Sequence, residues 1–302
     1  MPLQSMDMMG LMEKFGTEQD CRKVLEEIRW PKGAVCSRCE GTEHAYDSKR
    51  GVFDCYGCGY QFSVLAGTIF HDTKLPLRKW MMAVLLMVEA RKGVSANQIK
   101  RTLGVSYKTA WYLCHRIRAA MAEARPEPLS GTVEVDETYH GGKARNMHRN
   151  QREGNKTIVA GAVQRGGRAI LQVVDSTTRK TLHGFVNDAT LPATERIITD
   201  EWPAYRGVGD RDTIHETVNH RIREYVRRGT DVHTQTIESV WSLFKRSVVG
   251  SYHKLSTKHL DAYLNELEWR FNNRGNKYLF RDTLKKLLAA EKLEYRELTA
   301  KA

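Results

Sequence analysis

The chain has 302 residues, with 48 Lys and Arg against 36 Asp and Glu, a formal net charge of +12. A content of 41% hydrophobic and 28% charged residues is that of a folded globular protein rather than a disordered one. The longest apolar run, residues 80–88, falls far short of the roughly 20 residues a bilayer span needs. No charged segment followed by an apolar stretch opens the chain, so neither a membrane protein nor a secreted factor is expected. The length suggests two or three domains, and the positive excess makes a polyanion the first partner to consider.

The charge is unevenly spread. Residues 1–75 are net −2, residues 76–128 net +7 and residues 129–302 net +7. The first segment, expected to hold an N-terminal helix plus a zinc ribbon, contains Cys36-x2-Cys39, fifteen residues, and Cys55-x2-Cys58. Two such pairs place four sulfurs around one tetrahedral ion, which suits Zn2+. Two disulfides are disfavoured in a reducing compartment, and a redox pair would not recur at this spacing. Four protein ligands leave no open position, so one structural Zn2+ is expected and no chemistry from it. Gly57 and Gly59 flank the last ligand, where the turn needs backbone freedom. Cys21 and Cys114 are expected to be buried free thiols, and His44 and His71 ordinary residues.

Residues 76–128 read as a helix-turn-helix segment. Residues 77–90 form an apolar helix, and Ser95 with Gln98 caps a short one. Gly104 supplies the turn, and Ser106 caps a third helix with Ala110, Leu113, Cys114 and Ile117 on its core face. Its remaining faces carry Lys108, Tyr112, Arg116 and Arg118, and residues 91–121 hold seven cations and no acid. This arrangement is one that enters a DNA major groove, so these four side chains are candidate DNA contacts.

From residue 129 the pattern turns to strands. Residues 132–139 alternate, with Val133 and Val135 on one face and Glu134 and Asp136 on the other. Strand-like runs follow at 157–163 and 169–174, joined through Gly166 and Gly167, then a helix over 179–189 and a short strand ending at Asp200. Three antiparallel strands, a helix and a buried strand are the order of an RNase H-like fold, in which acids on the first and fourth strands come side by side. On a later helix Glu238 and Lys245 lie about 20° apart, at the edge of a stripe of Ile237, Val240, Trp241, Phe244 and Val248. Two Mg2+ ions about 3.5–4 Å apart assist in-line phosphodiester cleavage, and a few carboxylates suffice to hold them. Asp136 would bridge both ions, with Asp200 and Glu238 each holding one. Glu134, Glu137 and Glu201 are neighbouring acids that remain alternatives. Basic tracts at Lys143, Arg145 and Arg149, and at Arg227 and Arg228, are further candidate DNA contacts.

Taken together, these residues resemble the bacterial insertion-sequence transposases of the DDE type with an N-terminal zinc ribbon. The resemblance rests on the four cysteines, Ala66–Lys74 leading to Trp80, Leu103-Gly-Val105, Val135–Gly142, Thr199-Asp-Glu-Trp202, His233–Trp241 through Lys245-Arg246, Gly250–His253 and Glu268–Asn272. It spans about residues 15–275. It implies that Asp136, Asp200 and Glu238 are the catalytic triad, holding two Mg2+ or Mn2+, and that Lys245 positions DNA. The separations of 64 and 38 residues within the triad suit such enzymes. One departure is Gln235, where the family more often carries Asn.

The expected architecture is therefore multidomain α/β: the zinc ribbon (1–75), the helix-turn-helix segment (76–128) and an RNase H-like mixed sheet with C-terminal helices (129–302). The expected function is binding of terminal inverted repeats followed by strand cleavage and 3′-OH strand transfer on double-stranded DNA. The expected setting is a bacterial cytoplasm, associated with the nucleoid, as a homodimer or larger synaptic assembly, with no membrane partner. Two other readings use the same modules: a DNA-binding regulator with an inert RNase H-like domain, and a stand-alone metal-dependent nuclease.

Overall fold

The computed structural model describes residues 3–123, 126–141, 156–192, 194–222 and 224–300. The chain divides into two units, one built from residues 1–122 with 275–302 and the other from residues 123–274.

The first unit starts with helices α1 (Met8–Lys14) and α2 (Glu18–Arg29), the second closed by a capping box between Thr17 and Asp20. Three short antiparallel strands follow, β1 (His44–Asp47), β2 (Val52–Cys55) and β3 (Gln61–Phe62). Their apolar side is small: Phe53 and Phe62 stack at 5.3 Å, and Trp30 meets both edge-on. Then come α3 (Leu77–Glu89), α4 (Ala96–Leu103) and α5 (Tyr107–Met121). The caps and the turn expected around α4 and α5 are present. Ser95 Oγ accepts from Gln98 N, Gly104 ends α4 at φ +59, and Ser106 Oγ accepts from Thr109 N. The long apolar run is α3, buried within this unit. Among the described residues no helix is long and apolar enough to cross a membrane.

The sequence pattern groups the C-terminal helices with the strand-rich segment. Instead α9 (Leu279–Ala289) and α10 (Tyr295–Thr299) complete the first unit. Phe280, Leu284, Leu287 and Leu288 of α9 are buried, and α9 packs on α2, α3 and α5. Phe280 meets Phe15 at 5.7 Å. An amphipathic helix shows which of its faces is buried, but not which distant elements bury it.

The second unit is a five-stranded sheet in the order β6-β5-β4-β7-β8, with β4 (Thr132–Gly141), β5 (Lys156–Gln164), β6 (Ala169–Val174), β7 (Arg196–Asp200) and β8 (Ile214–Val218). The first three strands are antiparallel, while β7 and β8 run parallel to β4. Helix α6 (Arg179–Ala189) covers one face, packing Leu182, Phe185 and Val186 against Val133, Val135 and Ala162. Helices α7 (Gln235–Ser247) and α8 (Leu260–Asn272) cover the other, with Ile237, Val240, Trp241 and Leu264 against Val159, Val163 and Leu171. Helix α8 also closes the β6 edge: Asn272 Oδ1 accepts from Ala169 N and its Nδ2 donates to Ala169 O, and Glu268 accepts from Leu171 N at 2.9 Å. A bare sheet edge is thereby covered. Strand β8 was not anticipated, because Ile214-His-Glu-Thr-Val218 has a weak apolar signal and gains its place only by pairing with β7.

Candidate active site and metal centre

The four cysteines stand on two turns of the same build. Glu40 N donates to Cys36 O, and Gly59 N donates to Cys55 O, each at 2.9 Å. Both donors have left-handed backbone, φ +61 at Glu40 and +65 at Gly59. Gly57, expected to share that freedom, does not use it. All four sulfurs lie within 4.8 Å of one another, with Cys36–Cys58 at 3.7 Å and Cys39–Cys55 at 3.5 Å. A tetrahedron with Zn–S bonds of about 2.3 Å has edges of about 3.8 Å, so the set fits that ion. Gly41 leaves room beside it, since a Cβ there would stand 3.3 Å from Cys39 Sγ. His44 is turned away, its Nε2 3.1 Å from Ala34 O. Cys21 and Cys114 are buried, as expected.

In the second unit, strand register brings two carboxylates together. Glu134 pairs with Ile198 in the parallel β4–β7 ladder. Asp136 and Asp200 each lie two residues further on, so the 64-residue separation is the ladder's own offset. Burial first, and then the charges of Glu137 and Asp200, push the Asp136 carboxyl up to about 7. Opposing them are a hydrogen bond from the Glu137 backbone and one from Trp241 Nε1, which donates to Asp136 Oδ2 at 3.0 Å. None of the main influences on Asp136 is a cation. A buried carboxylate crowded by others is a group that a hard divalent ion would relieve.

The two neighbouring acids on β4 have other partners. Glu134 is fully buried and accepts from Arg165 Nε at 2.8 Å, Thr236 N at 2.7 Å, Thr236 Oγ1 at 2.9 Å and Ile237 N at 3.0 Å. It serves as the cap of α7. Glu137 points to the opposite face and accepts from Tyr205 Oη at 2.8 Å; burial raises its pKa. Glu201 is exposed beside Asp200.

Helix α7 contributes Glu238 and Lys245, which line one cleft of about 600 Å3 with Asp136 and Trp241. Asp200 lines a neighbouring cleft of about 570 Å3 together with Trp202, Arg206, His215 and His220. His220 connects the two, its Nε2 3.6 Å from Glu238 Oε1. Glu238 also accepts from Thr234 Oγ1 at 3.2 Å. Among the described residues only the cysteines bring three or more ligand atoms within 4.8 Å of one another. The carboxylates of Asp136, Asp200 and Glu238 are more widely set than that. Sequence reasoning missed the parts played by Glu134, Gly161, Tyr205, His220 and Trp241. A lone glycine within the apolar run of β5 was the available signal for Gly161, since it marks a close approach.

Several candidate DNA contacts are placed otherwise. Arg116 and Arg118 are only 5% and 1% exposed. The Arg116 guanidinium donates to the carbonyls of Ile69 and His71 and lies over Trp80. These two arginines belong to the interior of the first unit, because α5 is covered on more sides than its apolar stripe shows. Tyr112 is half-buried, its Oη donating to Leu293 O and its ring against Tyr295. Lys108 is exposed, 4.4 Å over the Tyr295 ring. Arg227 is spent within the fold, on Glu216 at 3.4 Å and on Thr217 O, whereas Arg228 is exposed. Lys143, Arg145 and Arg149 lie outside the described residues.

Residues 128–272 match the ISXO2-like transposase domain, and residues 16–61 match the transposase zinc-ribbon domain. An uncharacterized protein in transposable element ISH50 of Halobacterium salinarum is 28% identical over 278 residues, 86% of this chain and 92% of that protein. Among solved structures, a pre-cleavage Mos1 transpososome is similar at 12% identity over 71% of this chain and 79% of that one. Its TM-score of 0.28 is too low to carry an argument.

Proposed function

We propose that the chain, whose residues 128–272 match a transposase domain and residues 16–61 a transposase zinc ribbon, is an insertion-sequence transposase that binds the ends of its element and catalyses metal-dependent strand cleavage and 3′-OH strand transfer. The observation that carries this reading is the β4–β7 register, which sets Asp136 beside Asp200 on the sheet face that α7 crosses with Glu238 and Lys245. In this reading Asp136, Asp200 and Glu238 hold two Mg2+ or Mn2+ ions. Bound there, the ions would stabilise the attacking and leaving oxygens of an in-line displacement. Water is the first nucleophile and the freed 3′-hydroxyl the second. The protein orients the scissile phosphate with Lys245 and excludes competing geometries, so its contribution is positional and electrostatic.

The zinc ribbon holds one structural Zn2+ on Cys36, Cys39, Cys55 and Cys58, and metal analysis of the purified chain should find about one zinc per chain. Finding none would remove the four-thiolate site. Helices α4 and α5 read the element ends through exposed cations. Because two ends must be joined, the active form is at least a dimer on DNA.

The test is strand transfer of end oligonucleotides with Mg2+. Asp136→Ala and Glu238→Ala should each lower the rate by about 100-fold or more, with both purified variants still folded by circular dichroism. Activity surviving in either would remove that residue from the triad. Cleavage without joining would favour a nuclease, and specific binding without cleavage under any divalent ion would favour a regulator.

A further inference from the structure

We propose that Trp241 is a positioning residue for Asp136, its indole N–H holding one carboxylate oxygen so that the remaining lone pairs face a divalent ion. This rests on the metal-dependent reading above. Trp241 is 4% exposed and lies among the apolar side chains of α7 and α8, where its sequence pattern puts it. Yet its Nε1 is 3.0 Å from Asp136 Oδ2, so the polar end of a core residue is aimed at the carboxylate that the triad shares.

The opposite strand is shaped for this contact. Gly161 is the residue directly across from Asp136 in the β4–β5 ladder. A Cβ at position 161 would stand 2.6 Å from two carbons of the Trp241 ring and 3.0 Å from Ile237 Cδ1. Real atoms do not approach so closely, so the indole can rest against the strand there only because that residue is glycine. Trp241 also follows Glu238 by three residues, nearly one helical turn, so one rigid helix sets both an acid of the triad and the donor that orients another.

The choice of donor is chemically informative. A lysine or arginine would satisfy Asp136 with a positive charge and compete with a metal ion. An indole offers one uncharged N–H and accepts nothing. A carboxylate has about four acceptor positions, so two neutral donors, the Glu137 backbone amide and the Trp241 indole, leave capacity for cations, and the indole is the one that a side chain supplies. Groups that orient metal ligands in this way typically affect affinity by about 10- to 100-fold.

The experiment uses the zinc-loaded full chain and follows Mn2+ binding through the electron paramagnetic resonance of the free ion. Trp241→Phe keeps an aromatic ring and removes the donor. Its Mn2+ affinity should fall by about 10-fold or more, while the metal-free thermal midpoint and end-DNA binding stay close to wild type and excess Mn2+ restores strand transfer. In parallel, 15N-indole spectra of the wild type should contain one resonance, missing in Trp241→Phe, that shifts on Mg2+ addition and does not shift in Asp136→Asn. Equal Mn2+ affinity in Trp241→Phe and wild type would overturn the proposal while leaving the metal-dependent reading intact. An indole resonance indifferent to Mg2+ would overturn it even if Trp241→Phe failed to fold. A wild type that binds no divalent ion would overturn both.

Discussion

Three acids within four residues of one strand meet three different fates, and alternation with burial explains each. Glu134 and Asp136 share a face, but Glu134 lies deeper and is consumed by the start of α7. Glu137 faces the other way and is held by Tyr205. Only Asp136 is left buried, crowded by like charge and with neutral donors alone, the Glu137 backbone and the Trp241 indole. Its ionisation should therefore show in the stability of the metal-free protein. An aspartate ordinarily titrates near 3.8, and this one is raised to about 7. Between those values the folded state binds more protons than the unfolded state, so stability falls as pH rises and the full loss is present above about pH 7. Asp136→Asn cannot titrate and keeps an oxygen for Trp241. With metal removed, its thermal midpoint should exceed that of wild type at about pH 8 and converge with it at about pH 4. A difference of the same size at both pH values would contradict the assignment. Asp136 itself was legible in the sequence. Its separation from Glu134 was not, because alternation assigns a residue to a face but does not say how far along that face the next helix reaches.

Helix α7 is the element on which the site depends, and its N-terminus is capped from outside its own sequence. Thr234, at the N-cap position, gives no side-chain cap bond to the helix backbone. The Glu134 carboxylate instead takes the amide protons of Thr236 and Ile237, and Arg165 binds the same carboxylate while also reaching Asp231 at 3.0 Å and His233 O at 2.9 Å. An anion at a helix N-terminus satisfies donors that have no partner within the helix and complements the helix dipole. Because Glu134 is fully buried and ion-paired, Glu134→Ala removes the buried one of Arg165's two carboxylate partners and leaves the Thr236 and Ile237 amides without their acceptor. It should destabilise the protein by about 3–5 kcal/mol in urea unfolding. Hydrogen exchange should increase first in the amides of α7, ahead of those of α6 on the opposite face of the sheet. A loss below about 1 kcal/mol would mean that the helix start is held by something else. The apolar stripe of α7 and the shared edge of Glu238 and Lys245 were legible as periodicity. The cap was not, because it joins residues about a hundred positions apart and leaves no local pattern. Strand β8 was missed for a related reason: its place depends on its neighbour more than on its own residues.

At the scale of the whole chain, the fold redistributes the charge. Cut by sequence pattern, the last 174 residues held as much positive excess as the helix-turn-helix segment. Cut by the observed units, residues 1–122 with 275–302 carry 25 basic and 16 acidic side chains, net +9, against 23 and 20, net +3, for residues 123–274. The return of α9 and α10 to the first unit makes the difference, and no local signal announced it. The cysteine pairs, the caps of α4 and α5 and the first strands of the sheet were legible because metal spacing, helix caps and strand alternation are local. The assignment of the C-terminal helices and the burial of Arg116 and Arg118 depend on contacts between distant segments. This division separates two kinds of arginine and lysine that composition treats alike. Arg91, Lys92, Lys100 and Arg101 are exposed on and before α4, and Lys108 is exposed at the start of α5. Arg116 is instead bonded to backbone carbonyls and stacked on Trp80. Each cation that neutralises a DNA phosphate contributes about 0.9 to the slope of log affinity against log salt. Replacing Lys100 and Arg101 together by alanine should therefore make the slope for end-DNA binding shallower by up to about 2, with an unchanged thermal midpoint. Arg116→Ala should do the reverse, lowering the thermal midpoint through its lost buried hydrogen bonds and leaving the slope of the folded protein as it was. Anisotropy titrations of labelled end DNA across a salt series, paired with thermal melts of each variant, read both quantities. A slope that fell with Arg116 and not with Lys100 and Arg101 would move the DNA-reading surface away from the exposed face of α4.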